Sequence, residues 1–370
     1  MYIFDIILIC INLQIISQMV RLLFICLIGT IFLINAATAC ASDNRDIEKT
    51  ILTTINKGKI EKVKVDKKLS ELADYLNSSK SSPNVATANR YGIYDMQFET
   101  AGVQASDTSF FEQAELFAGI NKSNVVGVSI KLEDGIYSVV VVGVKRYVEI
   151  PRINPKITSN TTEIKGKWTD PNSTPNNITV TAPDGSGVSY DIEGLVKNNE
   201  FKVMINTPSQ GKYTCEINAK SNQGPLSGAT IFLFKNIEPD YTYTVGDTSN
   251  NTIGYWLELI NTERAKQNLK PLVLSQKLSK IAQSHSVDMA VNDYVAHVSP
   301  TTGSIQDRIK GIEYTALGEN IALGGSVAEI HNGLMGSPAH RKNIMGDYTT
   351  VGLGLYKKGN SYYATQVFIK

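Results

Sequence analysis

Apolar residues recur at helical spacing in two stretches that lie at opposite ends of this chain. Ile51 and Ile55, then Leu69, Leu72, Ala73 and Leu76, predict helices early on. Tyr255 to Gln267, and the stripe Leu278, Ile281, Ala282, Met289 and Ala290, predict two more late in the chain. Ser275 stands where it can cap the second of these, and Ser326 can cap another carrying Val327, Ile330 and Leu334. Each helical stretch is followed by a strand pair. Val125 to Leu132 and Ile136 to Val144 flank Glu133-Asp134-Gly135, while Val351 to Leu355 and Tyr362 to Ile369 flank the turn Lys357 to Asn360. Between the two halves the pattern changes to short β-rich runs punctuated by Pro, Thr, Asn and Gly. These are Glu163–Trp168, Ile178–Ala182, Phe201–Ile205, Lys212–Ile217 and Thr230–Phe234, the spacing of a small β-sandwich.

The pattern divides the 370 residues into a leader over 1–39, a mixed unit over 45–148 and a β-sandwich over 150–236. A linker over 237–251 and a helical-then-β domain over 252–370 complete the chain. The fold class is α+β. Tyr213, two residues before Cys215, resembles an immunoglobulin-type corner, so the sandwich is read as Ig-like, although it holds no second cysteine to bridge its sheets. The two mixed units read as one repeated fold. Ile55-Asn56-Lys57 matches Ile260-Asn261-Thr262, and Lys68-Leu69-Ser70-Glu71-Leu72-Ala73 matches Lys277-Leu278-Ser279-Lys280-Ile281-Ala282. Val126-Gly127-Val128, with the hairpin to Tyr137, matches Val351-Gly352-Leu353 with the hairpin to Tyr362.

The leader holds two apolar runs, Ile6 to Ile16 and Leu22 to Ile34, separated by Arg21. The second suits the apolar region of a signal peptide, with Ala37-Thr38-Ala39 as a cleavage site and Met19 as an alternative start. An uncleaved membrane anchor made of both runs is the alternative. Cys40 follows the cleavage site and faintly resembles a lipoprotein box that lacks its usual leucine. Of the four cysteines, only Cys40 and Cys215 could form a disulfide outside the apolar leader. The expectation is a secreted protein, cell-surface attached if Cys40 is lipidated or the leader is retained.

A net charge of +1, with no concentrated Lys/Arg patch, argues against nucleic acid as a partner. Lys57 to Lys68 alternate with Glu61 and Asp66 and read as a solvated face. All four histidines, His285, His297, His331 and His340, fall in the last third, so imidazole chemistry is confined there. His285 lies on the apolar stripe of its helix and reads as a core histidine; His331 reads as surface or second shell. No Gly-x-Ser-x-Gly elbow occurs, and no cysteine lies in the last domain.

The phrases of that domain are specific in combination. They are Ile260-Asn261-x-Glu263-Arg264, the helix Leu278 to Met289, His297-Val-Ser-Pro300 and Asp307-Arg308. They continue with Gly318-Glu319-Asn320-Ile321-Ala322, Ser337-Pro338-Ala339-His340-Arg341-x-Asn343-Ile344, Val351-Gly352-Leu353-Gly354 and Tyr363-x-Thr365-Gln366-x-Phe368. In these, residues 255–370 resemble a bacterial member of the CAP superfamily (cysteine-rich secretory proteins, antigen 5 and pathogenesis-related proteins). The resemblance implies an α-β-α sandwich and a cleft with two histidines and acidic residues. The cleft residues carried over are His297, Glu319, His340, Arg341 and Tyr363. The larger eukaryotic members have a second glutamate where Ser337 stands here and a histidine near Tyr363, so the set is reduced to three. Residues 47–148 contain none of these site phrases, which makes the first unit a degenerate copy of the same fold.

Two imidazoles and a carboxylate suit a divalent ion such as zinc at His297, His340 and Glu319, and they equally suit general acid–base work without metal. Spacing alone does not pre-align them, so convergence must come from the fold. Two functions follow: binding of an extracellular or cell-envelope ligand (ion, lipid, glycan or protein) in a His/Glu cleft, or metal-assisted or acid–base hydrolysis of a peptide or cell-wall polymer.

Overall fold

The computed structural model describes residues 44–59, 61–242 and 246–370. The leader, its cleavage site, Cys40 and both alternative starts lie outside the described residues. No described helix is long and apolar enough to cross a membrane.

In the first unit a helix over 44–55 (α1) precedes β1 (Lys64–Val65), α2 (Lys67–Ser79) and a short α3 (Val85–Arg90). Then come β2 (Phe98–Ala105), β3 (Val125–Glu133) and β4 (Ile136–Val144). The sheet order is β1-β3-β4-β2, with β1 parallel to β3 and the other pairs antiparallel. α2 runs on to Ser79 and Asn84 caps α3, whose Asn89 side chain bonds the backbone of Thr230 and Phe232 in the sandwich.

The sandwich has a three-stranded sheet, ordered β10-β7-β5, made of β5 (Val148–Glu149), β7 (Thr161–Trp168) and β10 (Glu200–Asn206). It faces a five-stranded sheet made of β6 (Lys156–Ile157), β8 (Ser173–Thr181), β9 (Gly187–Asp191), β11 (Gly211–Ser221) and β12 (Gly224–Lys235), ordered β6-β12-β11-β8-β9. Alternation on β11 sends Tyr213, Cys215, Ile217 and Ala219 into the shared core with Ile164, Trp168 and Ile231. The Tyr213 hydroxyl donates to Ser209 O at 3.0 Å and accepts from Ser209 N–H at 2.7 Å, tying β11 to the segment that enters it. Alternation also leaves Glu216 on the outer face.

The last domain has α4 (Ile253–Lys266), β13 (Val273–Leu274), α5 (Gln276–Val291), α6 (Ile305–Arg308) and β14 (Leu317–Gly324). It ends with α7 (Val327–Gly336), α8 (Pro338–Ile344), β15 (Thr350–Lys358) and β16 (Ser361–Ile369). Thr252, Ser275, Ser326 and Ser337 cap their helices through side-chain oxygens. The sheet order β13-β15-β16-β14 repeats the order of the first unit. Core residues Trp256, Ile260, Leu334 and Phe368 fill one side of this sheet, and Leu278, Ala282 and Val367 belong to the cluster on the α5 side.

The two mixed units also share local devices. Asn56 Oδ1 accepts from Val63 N–H at 2.8 Å, and Asn261 Oδ1 accepts from Leu272 N–H at 2.8 Å, each tying a helix to the segment entering the first strand. Ser70 Oγ accepts from Val128 N–H, and Ser279 Oγ from Leu353 N–H. Gly127 and Gly352 let helix backbone approach the sheet, since a Cβ would meet Leu69 at 2.0 Å in one unit and Leu278 at 2.4 Å in the other.

Candidate functional site

Glu319 comes from the start of β14 and is 8% exposed. Its two carboxylate oxygens are both engaged. His297 Nδ1 lies 2.9 Å from Oε1, and Arg308 Nη2 bonds Oε2. Burial pushes the Glu319 carboxyl up, but the hydrogen bond from His297 and the charge of Arg308 outweigh it and hold the group below the usual carboxylate range. The carboxylate is therefore ionised, and His297 Nδ1 must carry the hydrogen it donates. That leaves Nε2 as the ring's other nitrogen, free of this pair.

Local structure fixes both partners. Ser304 and Asp307 form a capping box that starts α6 and brings Arg308 to its last turn. Arg308 Nη1 then holds the main chain around the histidine, donating to His297 O at 3.1 Å and Gly303 O at 2.7 Å. His285, 1% exposed, bonds Ala296 O through Nε2 at 3.0 Å, and burial lowers its pKa. The reading of His285 as a core histidine agrees with this, and its bond anchors the residue next to His297.

His340 stands on α8, which is tied to β14 by two amides. Asn320 Nδ2 reaches His340 O at 3.0 Å, and Asn343 Nδ2 reaches Glu319 O at 3.1 Å and Asn320 Oδ1 at 2.7 Å. Burial foremost, with the His297 charge second, lowers the His340 pKa to about 4, so the ring is neutral at physiological pH. Its Nδ1 lies 2.8 Å from Ser337 Oγ, which donates to Glu216 at 2.9 and 3.0 Å. A hydroxyl has one proton, so the His340 ring donates from Nδ1 and keeps a lone pair on Nε2.

Glu216 belongs to the sandwich and is fully buried. It also accepts from Ala339 N–H at 3.0 Å, and burial raises its pKa against these hydrogen bonds. Where the sequence puts a serine in place of a second glutamate, a carboxylate arrives from another domain. The turn joining β11 to β12 lies on the other histidine: Val298 N–H donates to Gln223 O at 3.1 Å, and a Cβ on Gly224 would stand 2.9 Å from His297 Cβ.

The remaining candidates lie elsewhere. Tyr363, 7% exposed, packs with Met289, Ala290 and Tyr294 in a core cluster. The Arg341 guanidinium lies near Gly185 of the sandwich, and the arginine bonded to Glu319 is Arg308. His331, read as surface or second shell, is not at the surface. It is 4% exposed on the inner face of α7, where burial brings its pKa to about 4. Among the described residues no group of three or more His, Cys, Asp or Glu side chains is placed to hold a metal ion. Glu319 gives one acceptor position on each oxygen to His297 and to Arg308. Arg308 had a sequence signal, the Asp307-Arg308 pair behind Ser304. Glu216 had none, because nothing in β11 announces which domain its outer face meets.

Helices flank the sheet, and its edge strand β14 carries Glu319, bonded to His297 and Arg308. Residues 257–368 match the family model of the cysteine-rich secretory protein family, CAP, and the C-terminal domain is a CAP domain. The chain is 44% identical over 117 residues to the uncharacterized protein YkwD of Bacillus subtilis, covering 30% of this chain and 45% of the relative. It is 38% identical over 121 residues to the uncharacterized membrane protein YlbC of the same organism, covering 31% and 33%. The chain thus spans less than half the length of either relative. Among solved structures it is similar to an extracellular protein containing an SCP domain from Bacillus anthracis, with 23% identity, 45% of this chain and 66% of that one covered, and a TM-score of 0.30. It is also similar to an outer surface protein from Borrelia burgdorferi, with 21% identity, 35% and 98% covered, and a TM-score of 0.31.

Proposed function

We propose that the protein acts outside the cell or at its envelope as a binding protein, its CAP cleft taking an extracellular ligand at His297 and His340. The observation that carries this reading is the hydrogen bonding of the two rings. Nδ1 of each is turned inward, to Glu319 and to Ser337, which leaves Nε2 of each ring outside these pairs. Glu319 is held ionised by Arg308 and His297, which makes it a poor general base and a good orienting group. Secretion through the leader is part of the reading. The first unit enters it as a copy that keeps the frame without imidazoles, and the sandwich as an immunoglobulin-like spacer. Shared strand order and the paired asparagines support the first of these, and the Tyr213 corner supports the second.

The test is sedimentation of the full chain with bacterial peptidoglycan sacculi and with phosphatidylglycerol vesicles, together with zinc chloride calorimetry. Saturable binding to one of these, lost in both His297→Ala and His340→Ala and unaccompanied by soluble products, is the expected result. Release of soluble fragments that both changes abolish would replace binding by hydrolysis.

A further inference from the structure

The cleft histidines are touched by a neighbouring domain of the same chain, on both sides. The contacts come from one sheet. From its central strand β11, Glu216 reaches Ser337 Oγ and Ala339 N–H behind His340. From the turn after β11, Gln223 O accepts from Val298 N–H, and Gly224 lies against His297. Gly224 has φ +105°, and a side chain there would both strain the backbone and collide with the His297 Cβ, so the turn is shaped to come this close. The side chain of His297 is left 18% exposed.

We propose that the β-sandwich is an autoinhibitory cover for the CAP cleft, latched by Glu216 and the 221–224 turn, and that the protein takes its ligand only when this sheet lifts off α8 and the His297 loop. The proposal rests on the binding reading above. The chemistry of the latch suits a reversible contact. Glu216 lies on the outer face of β11 with no cation among its hydrogen-bond partners; it is held by the Ser337 hydroxyl and the Ala339 N–H of α8 and by Ser227 of its own sheet. It meets the two α8 donors only while the sandwich is docked, and it regains water in their place when the sandwich leaves. An apolar interface would carry no such compensation for opening. The other outer-face groups of this sheet beside Glu216 are polar as well: Asn177, Thr179 and Asn218 hydrogen-bond to one another and tolerate water. The opposite flank of the same sheet is held by α3 of the first unit, through Asn89 and the β12 backbone. Opening therefore moves the sandwich and the first unit together, away from the CAP domain. A direct bond between those two end units, from Lys122 Nζ to Asp293 O at 3.3 Å, is exposed.

The test is carbethoxylation of histidines in the full chain by diethylpyrocarbonate, read site by site by mass spectrometry. His285 and His331, both core residues, report whether the CAP domain stays folded. In the unmodified chain His297 and His340 should react slowly. Glu216→Ala should raise both rates at least tenfold while His285 and His331 stay protected. Ser337→Ala attacks the latch from the CAP side and is read at His297, which Ser337 does not touch. Rates at His297 and His340 that already match a free histidine in the unmodified chain, or that do not change in either variant, would overturn the cover. No ligand enters this measurement, so it separates from the binding reading. Faster labelling without any sacculus, vesicle or zinc binding by Glu216→Ala would keep the cover and overturn the ligand reading. Binding by the unmodified chain as tight as by Glu216→Ala would overturn the cover alone.

Discussion

Arg308 is the cation that balances Glu319, and with the side chains 5% and 3% exposed the pair is shut away from water. The same guanidinium holds His297 O. One arginine thus neutralises the carboxylate that orients the imidazole and also fixes the backbone that carries it. The His297–Glu319 pair is organised around a residue that bonds both of its members.

Removing that arginine leaves a buried carboxylate whose remaining partner is an imidazole. Arg308→Leu should cost the CAP domain about 3–5 kcal/mol, because a buried ion is stranded when its partner goes. Arg308→Lys should recover only part, since one ammonium cannot reach two carbonyls and a carboxylate in the same fork. Urea unfolding followed by Trp256 fluorescence in a Trp168→Phe background reads this domain, as the chain has 2 tryptophans. The double variant Arg308→Leu, Glu319→Leu should be more stable than Arg308→Leu alone. Equal stabilities would show that Glu319 takes up a proton or water instead.

Acid should weaken the CAP domain before its carboxylates titrate. His331 has a folded pKa of about 4 against an ordinary value of 6.5. Burial is the leading cause, opposed by Glu263 and seconded by Lys266. As pH falls below about 6.5 the unfolded chain takes up a proton that the native core refuses, so stability present at neutral pH is lost between about 6.5 and 4. The slope approaches about 1.4 kcal/mol per pH unit for a fully buried ring. His340, also lowered to about 4, adds in the same direction, and so does the loss of the Glu319 charge at lower pH. His331→Leu removes one of these titrations. Its stability relative to the unmodified domain, from urea midpoints at pH 7.5, 6.0 and 5.0, should improve steadily with acidity; a constant difference would mean that His331 is hydrated in the folded state.

What the sequence revealed follows its periodicity. The caps at Ser275 and Ser326, the stripe from Leu278 to Ala290 and the closing hairpin are local consequences of side-chain placement, and each stands where the pattern put it. Asn56 and Asn261 could be matched as letters before either was seen to make the same bond. The pairing of His297 with Glu319 was not legible as chemistry. A sequence does not show that Glu319 is paired with Arg308, nor that His331 is buried while the Arg341 guanidinium lies near Gly185. Least visible was Glu216. Its alternation with Cys215 and Ile217 places it outside the sandwich core, and what the outside of one domain meets is decided by docking rather than by any local pattern.

The paired glycines make the likeness of the two units measurable. A Cβ at Gly352 would sit 2.4 Å from the Leu278 backbone, and one at Gly127 would sit 2.0 Å from Leu69. Backbone cannot swing aside as a flexible side chain can, so α5 or α2 would have to retreat from its sheet. Gly352→Ala and Gly127→Ala should each destabilise their own unit by about 1–3 kcal/mol or more, the usual cost of overpacking. Hydrogen exchange separates the two effects: exchange should rise in 276–291 for the first change and in 67–79 for the second. Neutral effects at both positions would mean that the helices already stand further off than the shared register implies.

The lone sandwich cysteine completes the account of what is accessible. Cys215 is fully buried and its thiol is free, and burial pushes its pKa up to about 12. Thiolate is the reacting form, and at pH 8 almost none exists there even where a reagent could enter. Iodoacetamide should leave Cys215 unlabelled in the native chain and label it fully in guanidinium without reductant. The order of these steps matters for Cys40. If the two cysteines were joined, Cys215 would stay unlabelled in guanidinium until a reductant was added. Labelling before reduction would establish that the sandwich is held by its core alone, by Tyr213, Trp168, Ile231 and their neighbours.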